Sequence, residues 1–127
     1  MIMIVDDDVG MAENCSLFLE AHGFDVNIAA SGAEALSKIR DGSHELVISD
    51  CAMPGMSGME LCEKLKADPL TAQLPILLMS ASMRCEITTS ALYDGFLRKP
   101  FLAENLLTEV QKLLESTGAA HHPVSKV

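Results

Sequence analysis

Asp6, Asp7 and Asp8 follow one short apolar run, Asp50 closes a second, Ser80 closes a third, and Lys99 follows a fourth. Several carboxylates within a few ångströms of one another cannot all ionise cheaply, because two unit charges at ~4 Å repel by ~4 kcal/mol at an effective dielectric of about 20. Either a proton is shared or a cation is bound. Oxygen donors alone around a small cleft suit Mg²⁺, which keeps several waters and is held by one or two carboxylates plus a phosphate. A lysine opposite such an ion suggests that the anion to be stabilised is a phosphoryl group, whose transfer depends on positioning and charge neutralisation. Asp50 is then the candidate nucleophile. The three residues after it, Cys51, Ala52 and Met53, carry neither positive charge nor a strong donor, so its partners must come from elsewhere in the chain.

Convergence of these side chains requires elements that end at one edge. The run "IMIV" reads as a strand, and Met11, Cys15, Phe18 and Leu19 recur at helical spacing until Gly23 stops the helix. "FDVNIA" alternates as a second strand, and Ser31 opens a helix with a capping box, its hydroxyl bonding near Glu34 while Glu34 reaches back to Ser31. The same signal recurs at Ser57 and Glu60, and Asp68-Pro69 ends that helix because proline lacks the N–H and clashes with the preceding turn. "PILLMS" and "GFLRKP" follow as buried strands, and Leu102, Leu106, Leu107, Val110, Leu113 and Leu114 trace one face of a last helix, stopped near Gly118. Alternating strands and helices, with strands apolar on both faces, predict a parallel sheet covered on both sides through right-handed crossovers. In such a sheet ligands gather beyond the carboxyl ends of the strands, where strand order reverses, and that is where the aspartates, Ser80 and Lys99 fall.

The size of the chain, 127 residues, fits one domain with one core. Its apolar residues fall in short runs, with no stretch long enough to span a bilayer and no basic secretory n-region, so a cytoplasmic protein is expected. A formal charge of −9 argues against direct nucleic-acid binding and against an anionic membrane surface. Cys15, Cys51, Cys62 and Cys85 form no CxxC pair, and ordinary reduced thiols are expected. The tail from residue 118 has no periodicity, which divides the chain into a domain over 1–117 and a flexible tail or linker start over 118–127.

The blocks "MIVDDD", "LVISDCAMPGMSGMEL", "LLMSAS" and "FLRKPF", with "GFDVNIAASGAEALSKI" for the second strand and helix, resemble the response-regulator receiver domains of two-component signalling, over roughly residues 1 to 116. The resemblance implies a flavodoxin-like (βα)5 α/β fold of the CheY-like superfamily, a three-layer sandwich with a five-stranded parallel sheet in the order 2-1-3-4-5. Carried over position by position, Asp50 matches the phosphoacceptor, which takes a phosphoryl group from the phosphohistidine of a sensor histidine kinase or phosphotransfer protein. Asp7 and Asp50 match direct Mg²⁺ ligands, Ala52 the residue that supplies a backbone carbonyl, and Asp6 the supporting acid; Mn²⁺ is the possible substitute. Ser80 matches the hydroxyl that moves to the phosphoryl oxygen, Lys99 the neutralising ammonium, and Phe96 the aromatic switch. Lys99-Pro100 resembles the family's cis peptide. Asp8 is read as the N-cap of the first helix.

The implied function is a phosphorylation-controlled switch that acts on a downstream protein or a fused output domain, a phosphoryl acceptor that promotes its own phosphorylation and hydrolysis more than an enzyme. The interval between Ser80 and Lys99 is a few positions shorter than in the family, so the fourth helix, "RCEITTSALYD", is expected to be short, and its β-branched residues weaken it further. That change bears on how a signal is read out. Two rivals stand beside this reading. A receiver-like interaction module that is not phosphorylated would keep the fold alone. A haloacid-dehalogenase-type phosphohydrolase would take its nucleophile from "DDDVG", but Gly10 stands where Thr or Val is expected and the chain has no room for a cap domain. Met53, Met56, Met59 and Met79 are read as gap-filling core or loop residues, and His22 and His44 as solvated.

Overall fold

The structure is a computed structural model that describes residues 1–40, 42–81 and 92–116. Five strands, β1 (Ile2–Val5), β2 (Val26–Ala29), β3 (Leu46–Asp50), β4 (Ile76–Ser80) and β5 (Gly95–Arg98), form one parallel sheet in the order β2-β1-β3-β4-β5. Four helices are described, α1 (Val9–Ala21), α2 (Gly32–Ile39), α3 (Gly58–Ala67) and α4 (Ala103–Ser116). The short fourth helix expected over residues 84–94 falls, except for its last three residues, outside the described residues, as does the tail beyond 116.

The β-branched and leucine-rich strands hold this sheet because both of their faces are covered. Successive residues of β1, β3 and β4 enter opposite cores. Ile2, Ile4, Leu46, Ile48, Leu77 and Met79 pack with α1 and α4, whereas Met3, Val5, Val47, Ile76 and Leu78 pack with α2 and α3. Strand order reverses between β1 and β3, which pair Val5 with Ser49 and so bring their carboxyl ends side by side.

Local chemistry sets the element ends. Asp8 caps α1 by accepting the Met11 N–H at 3.1 Å, and the helix closes with Gly23 at φ 92°, where the Gly23 N–H reaches the Glu20 carbonyl and the Phe24 N–H the Leu19 carbonyl. The Ser57–Glu60 capping box forms in full, with Ser57 Oγ accepting the Glu60 N–H and Glu60 Oε1 accepting the Ser57 N–H. At Ser31 only half of it forms: Ser31 Oγ accepts from Glu34 N, but Glu34 Oε1 accepts the Ala30 N–H and Glu34 pairs with Lys38. Ser57→Ala removes one reciprocal bond at the start of α3 and is expected to cost about 1 kcal/mol, read as a shifted urea midpoint with an unchanged slope.

Two expectations are corrected at element edges. Leu102 precedes α4 and is exposed, its carbonyl accepting the Asn105 N–H while Asn105 Oδ1 accepts its own N–H, so it serves the helix start through its backbone instead of the apolar face. The second strand begins at Val26 instead of Phe24; Phe24 is buried in the core as part of the α1 closing turn.

Candidate functional site

Asp6 follows β1, Asp50 is the last residue of β3, Ser80 the last of β4, and Lys99 follows β5, so the sheet presents all four at one edge. Oxygen atoms of Asp6, Asp7 and Asp50 lie within 4.8 Å of one another. Lys99 Nζ stands 3.1 Å from Asp50 Oδ1 and 3.5 Å from Asp6 Oδ2. Asp6 is 1 % exposed; its Oδ1 accepts the Asp8 N–H at 3.0 Å, while Oδ2 has no hydrogen-bond partner and keeps only the longer ionic contact with Lys99. Asp7 is exposed, which leaves the cluster open to solvent on one side.

The backbone fixes these positions. Lys99 N–H donates to the Ser80 carbonyl at 2.9 Å, and the Lys99-Pro100 peptide is cis as anticipated. Cys51 N–H donates to the Met79 carbonyl and the Cys51 carbonyl accepts the Gly58 N–H, each at 2.8 Å, which clamps the residue after Asp50 between β4 and the start of α3. Ala52 lies exposed beside the cluster in sequence, and Gly55 turns the loop at φ 77°. Phe96, half-buried in β5, packs on the α2–α3 side with its ring 6.0 Å from that of Tyr93.

Burial pushes the Asp50 carboxyl above the ordinary carboxylate range; Lys99 opposes this through its hydrogen bond and charge, and the Asp6 and Asp7 charges add to the rise. For Lys99, burial acts to lower the pKa, but the hydrogen bond and charge of Asp50 together with Asp6 outweigh it and the ammonium is held above its usual value. Among the described residues, an excess of carboxylate oxygens around the Lys99 ammonium, one of them buried without a hydrogen bond, is a donor set that fits a hard divalent cation. Asp6, Asp7 and Asp50 could hold it.

The cysteines depart from expectation. Cys15 and Cys62 are free, buried thiols, and burial pushes Cys62 up to about 12, but Cys51 is disulfide-bonded. Sequence spacing misses this because a disulfide is set by proximity in the fold. The role of the Asp8 N–H in orienting Asp6 was equally invisible, being a backbone contact between near neighbours.

Comparison with known proteins agrees with this geometry. The family model for the response regulator receiver domain matches residues 2–111. The DNA-binding response regulator MtrA of Mycobacterium tuberculosis is 32% identical over 116 residues, covering 89% of this chain and 50% of MtrA. Among solved structures, the chemotaxis protein CheY4 of Vibrio cholerae is 32% identical with a TM-score of 0.83, covering 89% of this chain and 97% of that one. TrrA of Thermotoga maritima, solved in complex with Mg(2+)-BeF, is 32% identical with a TM-score of 0.81, covering 89% and 97%. The chain spans about half the length of the curated relatives it matches. On its sequence blocks, its strand order and these matches, the chain belongs to the response regulator receiver domain family.

Proposed function

We propose that this domain, over residues 1–117, accepts a phosphoryl group on Asp50 from the phosphohistidine of a sensor histidine kinase or phosphotransfer protein, and that this changes its affinity for a downstream protein or a fused output domain. The observation that carries the reading is the placement of Lys99 Nζ 3.1 Å from Asp50 Oδ1 beside the Asp6–Asp7–Asp50 cluster. Asp50 contributes the attacking oxygen: its bond to phosphorus forms as the phosphorus–nitrogen bond to histidine breaks, and the leaving imidazole keeps the electron pair. Lys99 neutralises the incoming charge, and Asp6, 3.5 Å from its Nζ, helps hold that ammonium beside Asp50.

Mg²⁺, with Mn²⁺ as a substitute, would be held by Asp7, Asp50 and the Ala52 carbonyl with Asp6 in support, and would supply charge neutralisation for the transferring group. The new phosphate adds negative charge and acceptor oxygens, towards which the Ser80 hydroxyl and the Lys99 ammonium are drawn. Phe96 follows the Ser80 movement, shifting a two-state equilibrium in the loops after β3 and β4. A two-component regulator of this kind works in the cytoplasm; among the described residues no helix is long and apolar enough to cross a membrane. Residues 118–127 serve as a tail or linker.

Incubation of the full chain with Mg²⁺ and acetyl phosphate, and separately with a phosphorylated histidine kinase, tests the reading. An acid-stable, base-labile phosphate mapped to Asp50 and lost on chelation is the expected result. No phosphate on Asp50 from either donor would leave the non-phosphorylated interaction module in its place. The metal arm has its own readout: about 100 Kd of Mg²⁺ is expected to stabilise the protein by about 2.7 kcal/mol in thermal unfolding, and Asp7→Asn to remove most of that gain.

A further inference from the structure

A groove of about 570 Å³ lies between α2 and α3, on the side of the sheet away from α1 and α4. Leu36, Ile39, Met56 and Leu65 give it an apolar floor. Arg40, at the end of α2, and Lys64, on α3, stand exposed on its rim. We propose that this groove receives an acidic amphipathic helix of a partner protein, with apolar side chains on the floor and carboxylates on Arg40 and Lys64, and that Met56 links its occupancy to Asp50.

Charge selects the partner. The chain as a whole carries −9, yet the charged residues that line the groove are Arg40, Lys64 and Asp68. Asp68 Oδ1 already accepts the Leu70 N–H at 3.0 Å. Among the described residues neither Arg40 nor Lys64 forms an ion pair, whereas the nearby Lys38 and Lys66 are held by Glu34 and Asp94. Two cations without counter-charges on an acidic protein favour carboxylates from outside.

The floor selects apolar anchors over a small anion. A small-molecule site needs polar groups that converge in its depth. Here the buried Thr71 spends its hydroxyl on the Leu65 carbonyl at 2.6 Å, and Ser37, Arg40 and Lys64 stay exposed at the mouth. The walls are helices whose backbone groups bond internally, so an extended peptide would find no strand edge to join. A helix satisfies its own backbone and sets its apolar side chains into such a groove.

Met56 belongs to the loop that leaves Asp50, and it leans on the start of α2 so closely that a Cβ built on Gly32 would lie 2.7 Å from its Sδ. A partner side chain on the floor therefore meets the loop that phosphorylation rearranges in the function proposed above, on which this coupling rests. By linkage, each event then alters the other.

The probe is a capped amphipathic peptide with leucines on one face and glutamates beside them, compared with the same peptide carrying lysine for every glutamate. Binding to the full chain is followed by amide shifts. The expected result is saturable binding of the glutamate peptide alone, with shifts in α2, α3 and at Met56. Arg40→Glu combined with Lys64→Glu should weaken it by about tenfold. Ala33→Gln, which adds bulk to the groove wall at an exposed position and keeps both cations, should weaken it as well. Phosphorylation with acetyl phosphate and Mg²⁺ should change the affinity by about fivefold or more. No binding, equal binding of the two peptides, shifts centred on α1 and α4, or indifference to the charge reversal overturns the proposal. So does a dimer of the chain that the reversal dissociates, which would make a second copy the occupant, or an unchanged affinity in protein that carries phosphate on Asp50. If the peptide docks as expected but Asp50 takes no phosphate, the function assigned to Asp50 has failed and the coupling with it, while the docking site stands.

Discussion

Asp50→Asn is expected to abolish phosphoryl uptake while making the folded domain more resistant to unfolding at neutral pH. The first half follows from the nucleophile: an amide oxygen does not form a stable acyl phosphate, so incorporation falls by about a thousandfold or more, to the background of the assay. The second half follows from electrostatics. Burial, with the Asp6 and Asp7 charges, raises the Asp50 pKa in the folded protein despite the opposing pull of Lys99. A carboxyl with a raised folded pKa binds its proton more tightly in the folded than in the unfolded state. Its ionised form therefore destabilises the fold above that pKa, and the penalty vanishes as pH falls below the unfolded value. The amide removes the penalty. Thermal unfolding of parent and variant at pH 7 and near pH 3 checks this: the variant should be the more stable at pH 7, and the difference should disappear at pH 3. Mg²⁺ should stabilise the parent far more than the variant. A variant less stable than the parent at pH 7 would mean that the Lys99 pair, at 3.1 Å, outweighs the burial of the charge.

The second large effect is expected at Gly58. A Cβ built there would lie 2.4 Å from the Asp50 carbonyl oxygen, 2.8 Å from Cys51 Cα and 3.2 Å from the Asp50 carbonyl carbon. All three are backbone atoms of the segment that aims Asp50, and no side-chain rotation relieves the contact. Gly58→Ala is therefore expected to cost about 2–4 kcal/mol and to lower Tm by about 10 °C or more. The phosphorylation rate should fall with it, because the relief has to move Asp50. Gly10→Ala is the matched control. Gly10 lies in α1 with nothing nearer to a built Cβ than Asp8 Oδ1 at 3.7 Å, and there the same change should stabilise by about 0.5–1 kcal/mol through helix propensity. Opposite signs for one chemical change at two helix starts would isolate the close approach at Gly58 as the cause; a Gly58→Ala protein within 0.5 kcal/mol of the parent would show that α3 can shift freely.

The sheet and the cluster were legible because each depends on a pattern that covers several residues. Apolar runs at β1, β3 and β4, buried on both faces, leave one way to alternate with helices, and once the sheet is parallel the residues after each strand must meet. Asp6, Asp50 and Lys99 needed no more than that. Contacts decided by a single local geometry were not legible. Glu34 has the right spacing for a full capping box but prefers the Ala30 N–H, one residue further back, because Lys38 draws its other oxygen. His44 is half-buried instead of solvated, its Nε2 3.5 Å from Asn27 Nδ2, a neighbour supplied by the edge strand β2. The closeness of Gly58 to the Asp50 backbone likewise depends on where α3 enters against β3.

The two cores have a consequence for how this domain tolerates change. Ile48 and Val47 are consecutive, yet one faces α1 and α4 and the other α2 and α3, so a substitution at one is screened from the other by the sheet itself. Variation on opposite sides should combine additively, whereas variation within one side, as between Ile48 and Leu77, should not. A lineage drifting towards new partners can thus rework the α1–α4 exterior and its underlying packing while the α2–α3 side keeps its own, with the acidic edge serving as the boundary that both histories must preserve.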